Sequence, residues 1–89
     1  MTGNLEYYKV FYYAAKHGSL TLAAAELSIT QPAVSQALKQ LETALGVKLF
    51  VRSAKGIRLT PEGTVLYGHV KTGYEQILLG ERRLSSMLG

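Results

Sequence analysis

The sequence predicts a mainly α fold: three short helices, a two-stranded hairpin, then one long C-terminal helix. Three observations predict it. Apolar residues recur at helical spacing across residues 4–16 and again at Val34, Leu38, Leu41 and Leu45. Two helix starts combine a capping threonine with a first-turn proline, at Thr30-Gln31-Pro32 and Thr60-Pro61-Glu62. Between them, the short β-like runs "VKLFV" and "IRLT" flank Arg52-Ser53-Ala54-Lys55-Gly56, which reads as a hairpin.

In the first helix, Leu5, Tyr8, Tyr12 and Ala15 form one stripe with Phe11 beside them, and His17-Gly18 ends it. Ser19 or Thr21 can cap the second helix, whose "LAAAEL" centre is rich in the best helix former. Thr30 caps the third, Pro32 sits where a missing N–H costs nothing, and Gly46 stops it. Leu41, Leu45, Leu49 and Phe50 are expected in the core. From Pro61 a single helix is expected to run almost to the C-terminus. Eighty-nine residues suffice for one modest core. The division is then residues 1–60 for the compact part, with its hairpin at about 48–59, and 61–89 for the long helix.

The second and third helices have the pattern of a helix-turn-helix unit. Ala23, Leu27, Ile29, Val34 and Ala37 take its buried positions, and Ala24 supplies a small residue at the crossing. The turn of such a unit often carries a glycine at positive φ, a place held here by Ser28. A plain three-helix bundle would give nearly the same apolar spacing.

Charge and the outer face of the third helix separate these two readings. Net charge is +4. Residues 1–28 and 60–89 each balance, so the excess lies in between, where Lys39, Lys48, Arg52, Lys55 and Arg58 face Glu42 alone. A localised basic patch suits a polyanionic partner, although a solvated surface can also carry such charges. At ~100° per residue, Pro32, Ser35, Gln36, Lys39 and Thr43 point away from the apolar stripe. A solvated helix usually fills that face with Glu and Lys pairs. Short hydrogen-bonding groups instead suit a helix lying in the DNA major groove, where amides pair with adenine, hydroxyls serve several base edges and a proline ring meets a thymine methyl. The helix N-terminus also favours phosphate.

Several function classes are excluded or disfavoured. Without Asp or Cys there are no disulfides, thiolate metal sites, paired aspartates or Asp-based triads. His17 and His69 lack a ligand-spaced partner, so no metal or other cofactor is expected. His17 reads as a C-terminal helix residue that suits the dipole. Tyr7, Tyr8, Tyr12 and Tyr13 are placed for packing on a helix rather than as a base-stacking platform. No run approaches the ~18 apolar residues of a membrane span and no basic-then-apolar signal opens the chain, so a cytoplasmic, non-enzymatic protein without a membrane partner is expected.

The stretch "GSLTLAAAELSITQPAVSQALKQLETALGVKLFVRSAKGIRLTPEG" resembles the N-terminal winged helix-turn-helix of bacterial LysR-type transcriptional regulators. The likeness runs from about Leu5 to Gly63, with AA-x-x-L, S/T-Q-P-A-V-S, L-E-x-x-L-G, L-F-x-R and L-T-x-x-G in order, and the last helix resembles the family's linker helix. Departures are Leu20, where Phe is commoner, and Gln36, where a basic residue is frequent. The resemblance implies sequence-specific binding of double-stranded DNA at interrupted palindromes, by homodimers that often pair into tetramers. The recognition helix would be residues 31–45, with the wing on the backbone or in the minor groove. Gln31, Pro32, Ser35 and Gln36 match the base-reading segment. Thr30, Lys39, Arg52, Ser53, Lys55 and Arg58 fall where backbone or wing contacts are expected. The family's C-terminal effector-binding domain, through which a small molecule would act, is absent from this chain.

A second reading, from a different class, is a helical dimerisation or docking module without DNA binding. Under either, the long helix carries a seam: Tyr67, Val70, Tyr74, Ile77, Leu84 and Leu88 follow alternating three- and four-residue steps, broken once by Glu81.

Overall fold

The computed structural model describes residues 4–89. Helix α1 spans Leu5–His17, α2 Leu20–Leu27 and α3 Gln31–Leu45; strands β1 (Phe50–Ser53) and β2 (Gly56–Leu59) follow, and α4 runs Pro61–Leu88. The order is the expected one, and the local signals act as read. Asn4 caps α1, accepting from Glu6 N–H at 2.8 Å, and Gly18 ends it at φ 62°. Of the two possible caps for α2, Ser19 does the work, accepting from Leu22 N–H at 3.1 Å. Thr30 caps α3 through Ala33 N–H at 3.2 Å, and Thr60 caps α4 through Gly63 N–H at 2.9 Å. Ser28 adopts the left-handed conformation expected of a glycine, at φ 57° and ψ 41°. The sharp turn between α2 and α3 therefore forms, against the steric preference of a residue with a Cβ.

The core lies where α1 crosses α2 and α3. Phe11, Val34, Leu41 and Leu49 are its largest fully buried side chains, and Ala23 and Ala24 let the helices approach closely. Phe50 packs on Phe11 with ring centroids 5.5 Å apart. Phe50, Leu45, Leu27 and Ala37 are only half-buried and line the edge of this core. Two expectations fail. Ile29 is exposed, because it follows the left-handed Ser28 and only its backbone N–H turns inward, to Ala24 O at 3.0 Å. Leu5, at the start of the α1 stripe, is 75% exposed and only lines an open groove beside α4.

The tyrosines pack, as their position on a helix suggests. Tyr12 is buried, and Tyr7, Tyr8 and Tyr13 rest against the core. Across the α1–α4 interface Tyr12 OH donates to Glu75 at 2.7 Å, and the hydroxyls of Tyr13 and Tyr74 meet at 3.1 Å. Burial, reinforced by the bond to Glu75, pushes the Tyr12 phenol well above its ordinary range. Burial and the Tyr13 bond do the same to Tyr74. The Tyr12 hydrogen bond, then Lys71, hold Glu75 below the usual carboxylate range.

The hairpin is antiparallel, with Phe50 opposite Leu59 and Arg52 opposite Ile57. Side chains alternate between faces of a strand. Phe50, Arg52, Ile57 and Leu59 thus share the inner face, while Val51 and Arg58 share the outer one. The strands reach further into the hairpin than expected: β1 begins only at Phe50 but includes Arg52 and Ser53, and β2 begins at Gly56, so the turn is Ala54-Lys55 alone. Residues 47–49 leave α3 without pairing. Gly56, at φ 121°, completes the reversal, and a Cβ there would lie 2.6 Å from Gly18 O. Gly63 in the first turn of α4 presses against the Leu49 carbonyl, and a Cβ there would overlap that oxygen and its carbon.

This close approach makes a paired prediction. Gly63→Ala forces the α4 N-terminus off the backbone at Leu49 and is expected to destabilise by about 1–3 kcal/mol. Gly68→Ala, on the same helix with open space around it, is expected to stabilise by about 0.5–1 kcal/mol. Urea denaturation of the two variants checks the contrast in sign.

Candidate nucleic-acid interface

α3 divides cleanly into faces. Val34, Leu38 and Leu41 are buried, and directly opposite them Pro32, Gln36, Lys39 and Thr43 are exposed, with Gln31 exposed at the N-terminus. Pro32 occupies the first turn and Thr30 is committed to its cap. From Gln31 to Lys39 the outward surface therefore consists of amides, a proline ring, the Ala33 methyl and one lysine. The only acid on α3 is Glu42.

Ser35 departs from this group. At ~100° per residue it lies on a flank of α3, about a quarter-turn from the buried stripe, and Glu42 lies two turns further on the same flank. That flank faces the wing. Ser35 is half-buried, and its Oγ accepts a hydrogen bond from Arg52 Nη2 of β1. Glu42 turns its carboxylate to the chain leaving α3, accepting from Leu49 N–H at 2.7 Å and Phe50 N–H at 3.3 Å. Lys48 Nζ is 3.8 Å away. Two charge-assisted bonds to backbone N–H groups make Glu42 the fastening of the wing. Sequence reading treated it only as the lone countercharge of the basic region. Its position seven residues after Ser35, on one flank, was the available signal.

The wing places its expected residues differently from one another. Lys55 stands exposed at the tip. Ser53 shapes the turn, accepting from Lys55 N–H at 3.3 Å and donating to Gly56 O at 3.4 Å. Arg58 lies on the outer face opposite Val51, away from α3, whereas Arg52 lies on the inner face and reaches α3. Among the described residues, none of Lys39, Arg52, Lys55 and Arg58 pairs with a carboxylate. The backbone supports this placement: Ile57 N–H donates to Gly18 O at 3.3 Å, and Thr60 N–H to Leu49 O at 3.0 Å. His17, at the end of α1, meets Glu26 at 2.9 Å.

The seam residues of α4 separate into two groups. Tyr67 and Val70 pack against the core, and Tyr74 meets Tyr12 at a tilt and Tyr13 edge-on, so this half of the stripe is occupied by the chain's own α1. Ile77, Leu84 and Leu88 continue the stripe with 60%, 59% and 88% exposure. Where α1 runs out, Leu5, Tyr8, Val70, Gly73, Tyr74 and Ile77 line an apolar groove of about 490 Å³. No helix among the described residues is long and apolar enough to cross a membrane.

Known proteins share this architecture. Residues 5–64 match the family described as bacterial regulatory helix-turn-helix protein, lysR family. The transcriptional regulator CbbR of Rhodospirillum rubrum is 36% identical over 86 residues, covering 97% of this chain and 29% of that protein. The chain thus spans under a third of the length of such curated relatives. A mutant of Corynebacterium glutamicum OxyR superposes with a TM-score of 0.84 at 32% identity, over 100% of this chain and 29% of that one. A crystal structure titled as a CbnR_DBD–DNA complex gives 0.78 at 28% identity, over 97% of this chain and 99% of the other. On the matched residues and on these relatives, the chain belongs to the bacterial LysR family of helix-turn-helix regulatory proteins.

Proposed function

We propose that this chain binds double-stranded DNA sequence-specifically, as the DNA-binding part of a bacterial LysR-type transcription regulator, without catalysis and in the cytoplasm. The observation that carries the proposal is the outer face of α3, where Gln31, Pro32, Gln36 and Lys39 stand exposed with no acid among them. Such a face presents hydrogen-bonding groups of the kind that pair with base edges. α3 enters the major groove with its N-terminal half, and the wing follows the backbone or the minor groove with Lys55 foremost. Lys39, a turn further from the N-terminus than Gln36, meets phosphate. Arg58, on the outer face of the wing, is the most weakly placed for contact. The likeness to the solved CbnR_DBD–DNA complex supports DNA binding by this fold.

A reader of palindromic operators works as a two-fold dimer. The second copy is placed on the bare half of the α4 stripe, at Ile77, Leu84 and Leu88, with Leu5 and Tyr8 at its inner end. Supporting this choice is continuity: the stripe that packs on α1 runs on along the same helix face, interrupted at Glu81, and no other described residue covers it. Pairing of dimers and response to a small molecule belong, in this reading, to parts of the regulator outside these residues.

Three outcomes are expected. In fluorescence anisotropy with a selected operator, Gln36→Ala relaxes preference at one symmetric pair of positions, by about 1–3 kcal/mol of discrimination, and leaves random DNA almost unaffected. An equal loss on every sequence would make Gln36 a positioning group. Lys55→Ala weakens operator and random DNA alike and makes the salt dependence shallower by about one unit; an unchanged slope leaves the tip solvated. Ile77→Glu with Leu84→Glu gives a folded monomer of weaker operator affinity, and an unchanged molar mass in sedimentation rules out the seam.

A further inference from the structure

The contact between Ser35 and Arg52 bears on how the recognition surface is assembled. We infer that Ser35 serves DNA binding by holding the Arg52 guanidinium against the flank of α3 as a phosphate-binding group, rather than by reading a base itself. The inference rests on the DNA-binding reading above and assigns Ser35 and Arg52 one joint role within it.

The register of the hairpin puts Arg52 on the inner face, between the half-buried Phe50 and Ile57. A guanidinium cannot enter the core there, so the side chain leaves sideways, toward α3. It finds the Ser35 hydroxyl on that flank, one turn after Gln31. One N–H of the fork is used by this bond. No carboxylate among the described residues pairs with the charge, so the remaining donors keep their full affinity for an anion.

The surroundings show where those donors can act. Arg52 separates two depressions on this side of the molecule. One, of about 210 Å³, is polar and lined by Ser19, Thr21, Gln31, Arg52 and Ser53. The other, of about 530 Å³, lies between Ser35, Lys39 and β1. Arg52 thus stands beside Gln31 at the N-terminal end of α3, not out at the tip of the wing. A phosphate flanking the base pairs that α3 reads would meet the fork at this point. The bidentate geometry of guanidinium suits phosphate oxygens, and it requires a fixed orientation to be effective.

Ser35 supplies that orientation from a rigid helix. Glu42, two turns on, fixes the start of β1 through backbone bonds to Leu49 and Phe50. The strand is therefore held along α3 at two points. Glu42 sets the position of its backbone, and Ser35 sets the direction of its one inward-facing charge.

A double-mutant cycle on the chain as it stands tests this. Affinity for a selected operator is measured by anisotropy across a salt series for the parent, Ser35→Ala, Arg52→Ala and the double variant, with urea midpoints recorded for each. Ser35→Ala is expected to weaken binding roughly three- to tenfold when Arg52 is present and less than about twofold when it is Ala. Ser35→Thr, which keeps the hydroxyl, restores most of the loss. Arg52→Ala makes the salt slope shallower by about one unit. An equal loss from Ser35→Ala in both backgrounds overturns the inference, because Ser35 then touches DNA on its own account. An unchanged salt slope for Arg52→Ala overturns the phosphate assignment. A parent that binds no DNA at low salt removes the underlying reading instead, which keeps the two failures distinct.

Discussion

The backbone at Leu49 ties together every part of the candidate nucleic-acid interface. Its N–H goes to the Glu42 carboxylate of α3, its carbonyl accepts from Thr60 at the end of the wing, and its side chain is buried in the core. Gly63 of α4 lies against the same carbonyl. Thr60 adds a second bond one residue upstream, its hydroxyl donating to Lys48 O at 2.6 Å while capping α4. One residue in the link between α3 and β1 thus fixes the end of α3, both strands and the start of α4. Backbone groups in such a place must all be satisfied, which leaves the wing little freedom to move apart from α3.

Much of this was legible in the sequence, and the parts that were not have a common physical cause. Thr30, Pro32 and Gly46 bounded α3 correctly because caps and stops act over three or four residues. The opposition of Val34, Leu38 and Leu41 to Gln36 and Lys39 follows from helical period alone. Ser28 was recognised as the residue in the place of a positive-φ glycine, and it adopts that conformation despite its side chain. Periodicity says which side of a helix is apolar, but not what arrives at its flanks. Ser35 was grouped with the outward residues because nothing local reveals that Arg52, 17 positions later, crosses to meet it. Glu42 was passed over for the same reason. Spacing on α4 gives a single seam broken only at Glu81, and only the crossing of α1 shows that Tyr67, Val70 and Tyr74 are already partnered.

The α1–α4 interface combines apolar packing with specific polar bonds. A buried phenol needs a hydrogen-bond partner, and Tyr12 and Tyr13 find theirs in Glu75 and Tyr74. Because Tyr12 ionises only well above its usual range while Glu75 stays ionised below its own, a neutral donor faces an anionic acceptor throughout the neutral range. The contact therefore holds its geometry wherever the protein is folded near neutrality. Aromatic faces alone could slide; paired hydroxyl and carboxylate groups specify one angle between the helices.

That fixed angle turns α4 into a lever. Its 28 residues make a rod of ~42 Å, matching most of the 44 Å longest extent of the molecule. The rod is gripped near its middle, at Tyr74 and Glu75, and the stretch beyond the grip is ~20 Å long. A tilt of ~10° at the grip therefore swings the far end by ~3–4 Å, about the rise of one base pair. In the proposed dimer, the distance between the two copies of α3 would be decided less at the meeting point than at Tyr12, Tyr13, Tyr74 and Glu75 near each fulcrum.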